Sequence, residues 1–129
     1  MGRRFRTREQ GQALVEFTLV LPLLVVLLLA IVQFGIALNH YLVLTDAVRA
    51  GGRVASVSRL TPDAVGTTKQ AVVEAAADIG LTTDDVDVSS TWQPGSDVTV
   101  AARFPYSLEI FGIVVKSGDL TSSITEVVD

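Results

Sequence analysis

The sequence contains no cysteine, so no disulfide can stabilise an exported domain and thiol chemistry is excluded. It has one histidine, His40, with no metal-binding partners nearby in the sequence. We also find no serine nucleophile elbow, no phosphate-binding loop and no spacing typical of a metal cluster. The sequence therefore predicts a protein that is not an enzyme and needs no cofactor or metal.

The segments before and after a long apolar run carry net charges of opposite sign. The ten residues before Gly11 carry a net charge of +3, whereas residues 39–129 carry −6. Basic residues beside a membrane helix stay cytoplasmic, so Arg3, Arg4, Arg6 and Arg8 predict a cytoplasmic N-terminus and an extracytoplasmic C-terminal domain. So short a basic segment, with Phe5 as its only aromatic residue, does not indicate nucleic-acid binding.

Charge is missing altogether from Phe17 to Leu38, a run of 22 residues. A helix of that length rises roughly 33 Å, and a hydrocarbon core is roughly 30 Å thick. Apolar side chains lie on all sides of this helix, which therefore has no polar face to turn toward water. We predict a single membrane-spanning helix in the cytoplasmic membrane, kinked at Pro22 because proline removes a backbone hydrogen bond.

Three export mechanisms fit this N-terminus. An ordinary secretory signal would be cut before Leu38, although its apolar region is usually shorter than this one. An uncleaved signal anchor needs only the charge asymmetry and the length. A cut after Gly11 would keep the apolar run on the mature protein and would free an amine on Gln12, four residues from Glu16 on the same helix face.

The third mechanism fits a known family. The segment Gly11-Gln12-Ala13-Leu14-Val15-Glu16-Phe17, followed by Leu-Val-Leu-Pro and then Ile-Val-Gln-Phe-Gly, resembles the TadE-like branch of tight-adherence (Flp-type) pilins and pseudopilins. The resemblance implies that a prepilin peptidase cuts between Gly11 and Gln12. It also implies that Glu16, with Phe17 beside it, guides subunit registration. A chain of 129 residues is too long for the very short major subunit, which favours a minor pseudopilin.

The resemblance further implies a structural role in pilus assembly and cell adhesion. Expected partners are membrane lipid, the prepilin peptidase, other pilins and pseudopilins, and the assembly platform with its ATPase. The expected organisation is a class III leader at residues 1–11, a transmembrane helix at 12–38 and an extracytoplasmic domain at 39–129, which reaches the pilus or cell surface after assembly. The alternative is an uncleaved single-pass membrane protein whose outer domain binds envelope components.

Beyond the membrane, residues 39–58 are expected to continue the first helix. Ala47, Gly51 and Ala55 recur every four residues and form a stripe for close packing, against either the domain's own sheet or a neighbouring subunit's helix. Adjacent glycines weaken a helix by roughly 1 kcal/mol each, so Gly51-Gly52 is a candidate for a break or a hinge.

The remaining elements complete a pilin-like α+β fold. A short second helix is expected to be capped by Thr61 and to stop at Gly80. Alternation predicts a hairpin of residues 85–88 and 98–104 around a turn at 93–96, and a third strand at 120–128. Pro105 is expected to end the second strand or to lie at an edge. An apolar cluster between the strands is expected to fill the core, or to form a partner-binding surface where it is exposed; its members are Leu108, Ile110, Phe111, Ile113, Val114 and Val115.

Overall fold

The fold combines one long helix with a small sheet. The computed structural model describes the backbone of residues 3–110 and 112–129, and the side chains from Gly11 onward except Phe111. In chain order the elements are α1 (Arg3–Val57), α2 (Ala64–Ala75), two 3-10 turns (Ala77–Ile79 and Thr83–Asp85), β1 (Val86–Ser90), β2 (Asp97–Ile110) and β3 (Ile113–Val127). This architecture confirms the predicted α+β fold.

Helix α1 runs for 55 residues and continues through Gly51-Gly52, so the candidate break there does not occur. Both glycines are buried beneath other elements of the chain. A Cβ atom at Gly51 would overlap Cγ2 of Val72 on α2, and one at Gly52 would lie 2.9 Å from Cγ2 of Ile124 on β3. The glycines therefore allow close packing against α1, and that packing outweighs their weak helix propensity.

Helix α2 is capped by Asp63, not by Thr61 as expected. The Asp63 carboxylate accepts a hydrogen bond from the Gly66 amide at 2.8 Å. The Thr61 amide instead donates to the Ser58 carbonyl at 2.9 Å, closing the turn that follows α1. Helix α2 ends at Ala75, so the predicted stop at Gly80 is wrong for this helix. Gly80 instead adopts the left-handed conformation (φ 72°) that ends the 3-10 turn Ala77–Ile79.

The three strands form an antiparallel sheet in the order β1-β2-β3. The predicted turn between β1 and β2 is confirmed. The Ser96 amide donates to the Gln93 carbonyl at 2.9 Å, and Gly95 supplies the positive φ of 77° that this turn needs. One face of the sheet packs on α1.

Strands β2 and β3 extend well beyond β1, which pairs only with residues 98–102. Pro105 does not end β2, but its other expected placement is correct, because at Pro105 the strand has β3 as its only neighbour. The third strand begins at Ile113 rather than near residue 120.

The apolar cluster of residues 108–115 forms the end of this long hairpin. Its interpretation as core filling is wrong for Ile113, Val114 and Val115, which are exposed. The physical reason is length: the hairpin continues past β1 and past the region that α2 covers. Phe111 lies outside the described residues.

The core lies between α1, α2 and the inner sheet face, at the end of α1 remote from the apolar run. Valine and alanine dominate it, which suits the short distance between helix and sheet. The fully buried side chains include Leu44, Ala47, Val48, Ala55, Val72, Val86, Val98, Val100 and Val128.

Candidate membrane and assembly surface

The expected processing site lies on the first turns of α1. The Gln12 side-chain amide donates to a Glu16 carboxylate oxygen at 3.1 Å, so both residues share one face of the helix. Phe17, next along the chain, is exposed. Nothing lies within 4 Å of a Cβ atom built on Gly11, so packing within the chain does not require glycine there. Arg3, Arg4, Arg6 and Arg8 have helical backbone, and their side chains lie outside the described residues.

From Leu14 to Val32 the apolar side chains of α1 contact almost nothing else in the chain. Leucines, valines and Ile31 are exposed on all sides of the helix. The described residues hold one helix that is long and apolar enough to cross a membrane, Gly11–Val57. The Thr18 hydroxyl donates to the Leu14 carbonyl at 2.7 Å, so this polar group needs no water. This surface fits a single-pass membrane protein.

Pro22 lies within this apolar surface. The helix is continuous on both sides of it. Because proline has no amide hydrogen, the Thr18 carbonyl four residues earlier lacks its usual helical donor. That carbonyl can accept a hydrogen bond from a neighbouring helix, and the kink itself stays a prediction.

The stripe of Ala47, Gly51 and Ala55 is buried within the chain. Helix α2 and the sheet cover it, with Val72 of α2 directly over Gly51. The sequence left two packing partners open for this stripe, the domain's own sheet or a neighbouring subunit's helix. In the structure the stripe packs against elements of its own domain.

The hairpin of β2 and β3 reaches down α1 into the apolar run. The Gln33 side-chain amide donates to the Glu109 carbonyl at 2.8 Å. Seven residues further along α1, the His40 and Phe104 rings pack in a T-shaped arrangement, with ring centres 5.1 Å apart and planes at 77°. Sequence reasoning missed this junction. The available signal was Gln33 itself, an amide in an otherwise apolar stretch.

The polar chemistry of the outer domain is modest. Two hydrogen bonds from Thr82, one from its hydroxyl at 2.7 Å and one from its amide at 3.0 Å, together with the charge of Arg103, lower the pKa of Asp85 below its ordinary value of 3.8. Among the described residues, no group of three or more histidine and acidic side chains is placed to hold a metal ion.

A family model described as TadE-like protein matches residues 11–53. The suspected resemblance to the TadE-like family is confirmed. The TadE-like segment covers about a third of the chain and includes Gly11, Glu16, Pro22 and most of the buried stripe. The family points to a structural protein associated with tight-adherence pili and to pilus-related partners. No curated protein and no solved structure matches the chain.

Proposed function

We propose that this protein is a minor pseudopilin, a structural subunit of a tight-adherence pilus. A prepilin peptidase removes residues 1–11 on the cytoplasmic side, residues 12–38 stay in the membrane until assembly, and residues 39–129 form the extracytoplasmic domain. The assembly platform and its ATPase then bring subunits together. The observation that supports this proposal most strongly is the bare apolar surface of the TadE-like helix, joined without interruption to a packed domain.

Lateral packing of helices would provide the driving contact. A filament buries the apolar surface of residues 13–38 against other subunits, whereas a single subunit leaves it to lipid. Small or polar residues near the helix ends would then determine the register in which neighbouring helices pack. The free carbonyl at Thr18 beside Pro22 offers one such polar contact.

Glu16 would align the subunits. A carboxylate near a bilayer centre costs on the order of 2.5–3.5 kcal/mol on insertion scales, and less at the edge, where Glu16 lies. In the uncut chain the Gln12 amide already approaches this carboxylate. Cleavage adds an ammonium group at Gln12, and that charge, from the same or a neighbouring subunit, would neutralise Glu16 and favour one helix offset.

The direct test is the N-terminal residue of the protein purified from cells that contain the peptidase. The proposal expects Gln12. We expect Gly11→Ala to retain the leader, because the peptidase needs a residue without a side chain at the cut. Gly35→Ala is the matched control: it lies on the same helix, has nothing within 4 Å of its Cβ position, and gains the same helix propensity.

Cleavage of Gly11→Ala at the wild-type rate would refute recognition of Gly11. Loss of cleavage in both variants would instead indicate that helix stiffening is responsible. An intact Met1 on the wild-type protein would support the alternative, an uncleaved single-pass protein with an envelope-binding outer domain. One feature favours that alternative: the helical backbone runs from Arg3 through Gly11 without a break. An N-terminal Leu38 would indicate an ordinary secreted domain.

A further inference from the structure

The hairpin formed by β2 and β3 ends in an apolar surface that the chain leaves uncovered. We define the hairpin tip as residues 110 and 112–115; Phe111 is not described. Ile113, Val114 and Val115 are 68%, 54% and 63% exposed. Residues 110–115 carry no charge. Contiguous exposed apolar residues of this kind usually mark a surface that contacts a partner or a membrane.

The hairpin tip lies at the depth of the membrane boundary. The carbonyl of Glu109, which precedes the tip, accepts a hydrogen bond from Gln33, and Gln33 precedes the end of the apolar run at Leu38 by five residues. At about 1.5 Å per residue, this places the Glu109 carbonyl about 7.5 Å inside that end, with the tip beyond it. Measured from Glu16, Gln33 is about 25 Å along the helix axis, within a hydrocarbon core roughly 30 Å thick.

Side chains typical of a membrane interface surround the junction above the tip. Tyr41 of α1, Tyr106 of β2 and Lys116 of β3 line one groove between the helix and the hairpin. The Tyr106 ring lies against Gly118, the residue paired with it on β3. Tyrosine and lysine place apolar bodies in the interface and polar ends among the headgroups. These residues therefore mark the headgroup level, with the tip on its hydrocarbon side.

We propose that the hairpin tip inserts into the outer leaflet of the same membrane that α1 spans, so that lipid covers Ile113, Val114 and Val115. The insertion is shallow. The outward edges of a two-stranded ribbon leave amide and carbonyl groups unpaired, and such groups are not tolerated deep in hydrocarbon. The subunit is thereby attached to the membrane at two points. This inference requires that α1 spans the bilayer, and it is independent of cleavage at Gly11.

Fluorescent labelling tests the proposal, because the cysteine-free chain accepts a single introduced cysteine. The full-length protein is reconstituted in phosphatidylcholine–phosphatidylglycerol vesicles with an environment-sensitive fluorophore on Val114→Cys. Val127→Cys is the matched control, since both valines lie on β3 and are 54% exposed, at opposite ends of the strand. Leu24→Cys reports the insertion of α1. Nitroxide lipids with shallow or deep spin labels serve as quenchers.

We expect the Val114 probe to emit at shorter wavelength than the Val127 probe and to be quenched several-fold more by shallow than by deep nitroxides. Equal, water-like emission from both positions, with Leu24 quenched by deep nitroxides, would overturn the proposal and leave the membrane span intact. Water-like emission from Leu24 would overturn both. Shielding of Val114 without lipid quenching, increasing with the protein-to-lipid ratio, would assign the tip to a second copy of the chain and refute insertion.

Discussion

Gly51 offers a sharp test of whether the small-residue stripe serves the chain's own domain. Alanine at this position would place a Cβ atom in the space held by Cγ2 of Val72, which is fully buried on α2. Because valine has one strongly preferred χ1 rotamer in a helix, the Val72 side chain cannot simply rotate away from the new Cβ atom. The overlap must instead be relieved by moving α1 and α2 apart. We expect Gly51→Ala to destabilise the outer domain even in isolated monomers.

The magnitude follows from two opposing effects. Overpacking a well-filled core costs about 1–3 kcal/mol. Replacing a helical glycine by alanine contributes about 1 kcal/mol of stability in return. We therefore expect a net loss of about 1 kcal/mol, which for a domain of this size lowers the melting temperature by about 4–8 °C.

Thermal unfolding in detergent micelles, followed by the fluorescence of Trp92, the only tryptophan, reports the outer domain. Gly35→Ala is the control, because its Cβ atom meets nothing and it should not lower the melting temperature. In the double variant with Val72→Ala the overlap disappears. Its loss of unfolding free energy should therefore be about 1–3 kcal/mol smaller than the sum of the losses in the two single variants. A melting temperature of Gly51→Ala equal to that of Gly35→Ala, or strict additivity with Val72→Ala, would refute this reasoning.

Three further predictions concern single polar groups. Glu16→Ala should leave leader removal intact and reduce recovery of the protein in sheared pili; unchanged recovery would eliminate the alignment role. Asp63→Ala removes the cap that accepts from Gly66 and should lower the free energy of unfolding by about 1 kcal/mol, whereas Thr61→Ala should not. Asp85→Asn should lower the melting temperature at pH 7. Because folding depresses the pKa of this carboxyl, its contribution is present above the ordinary aspartate pKa of about 4 and is lost as pH falls through the folded pKa, so variant and wild type should converge in acid.

The elements that local chemistry determines could be predicted from the sequence. The uncharged run indicated α1, and Pro94-Gly95 indicated the turn between β1 and β2, since only a few residue types fit such a turn. The cap of α2 was misplaced by two residues because Thr61, Pro62 and Asp63 form a cluster of plausible capping signals. Which of them accepts from an amide depends on where the chain leaves α1, and composition does not specify that position.

The placement of the long hairpin could not be predicted, for a physical reason. Alternation of apolar and polar residues indicates which segments form strands. It does not indicate how long each strand is relative to its neighbour in the sheet. Ile113, Val114 and Val115 resemble core residues because they are apolar. They are exposed because β1 pairs only with residues 98–102, so the far end of the hairpin extends beyond it. The contact of Gln33 with Glu109 spans 76 positions in the chain, and no local pattern indicates it.

The unbroken course of α1 has a mechanical consequence. Beyond Pro22, residues 23–57 of this helix make a rod about 52 Å long that carries the outer domain at its far end. With Gly51-Gly52 locked under α2 and β3, the rod has no joint in that region to take up motion. A shift of this part of the helix along its axis by one turn, about 5.4 Å, would therefore move the outer domain by the same distance.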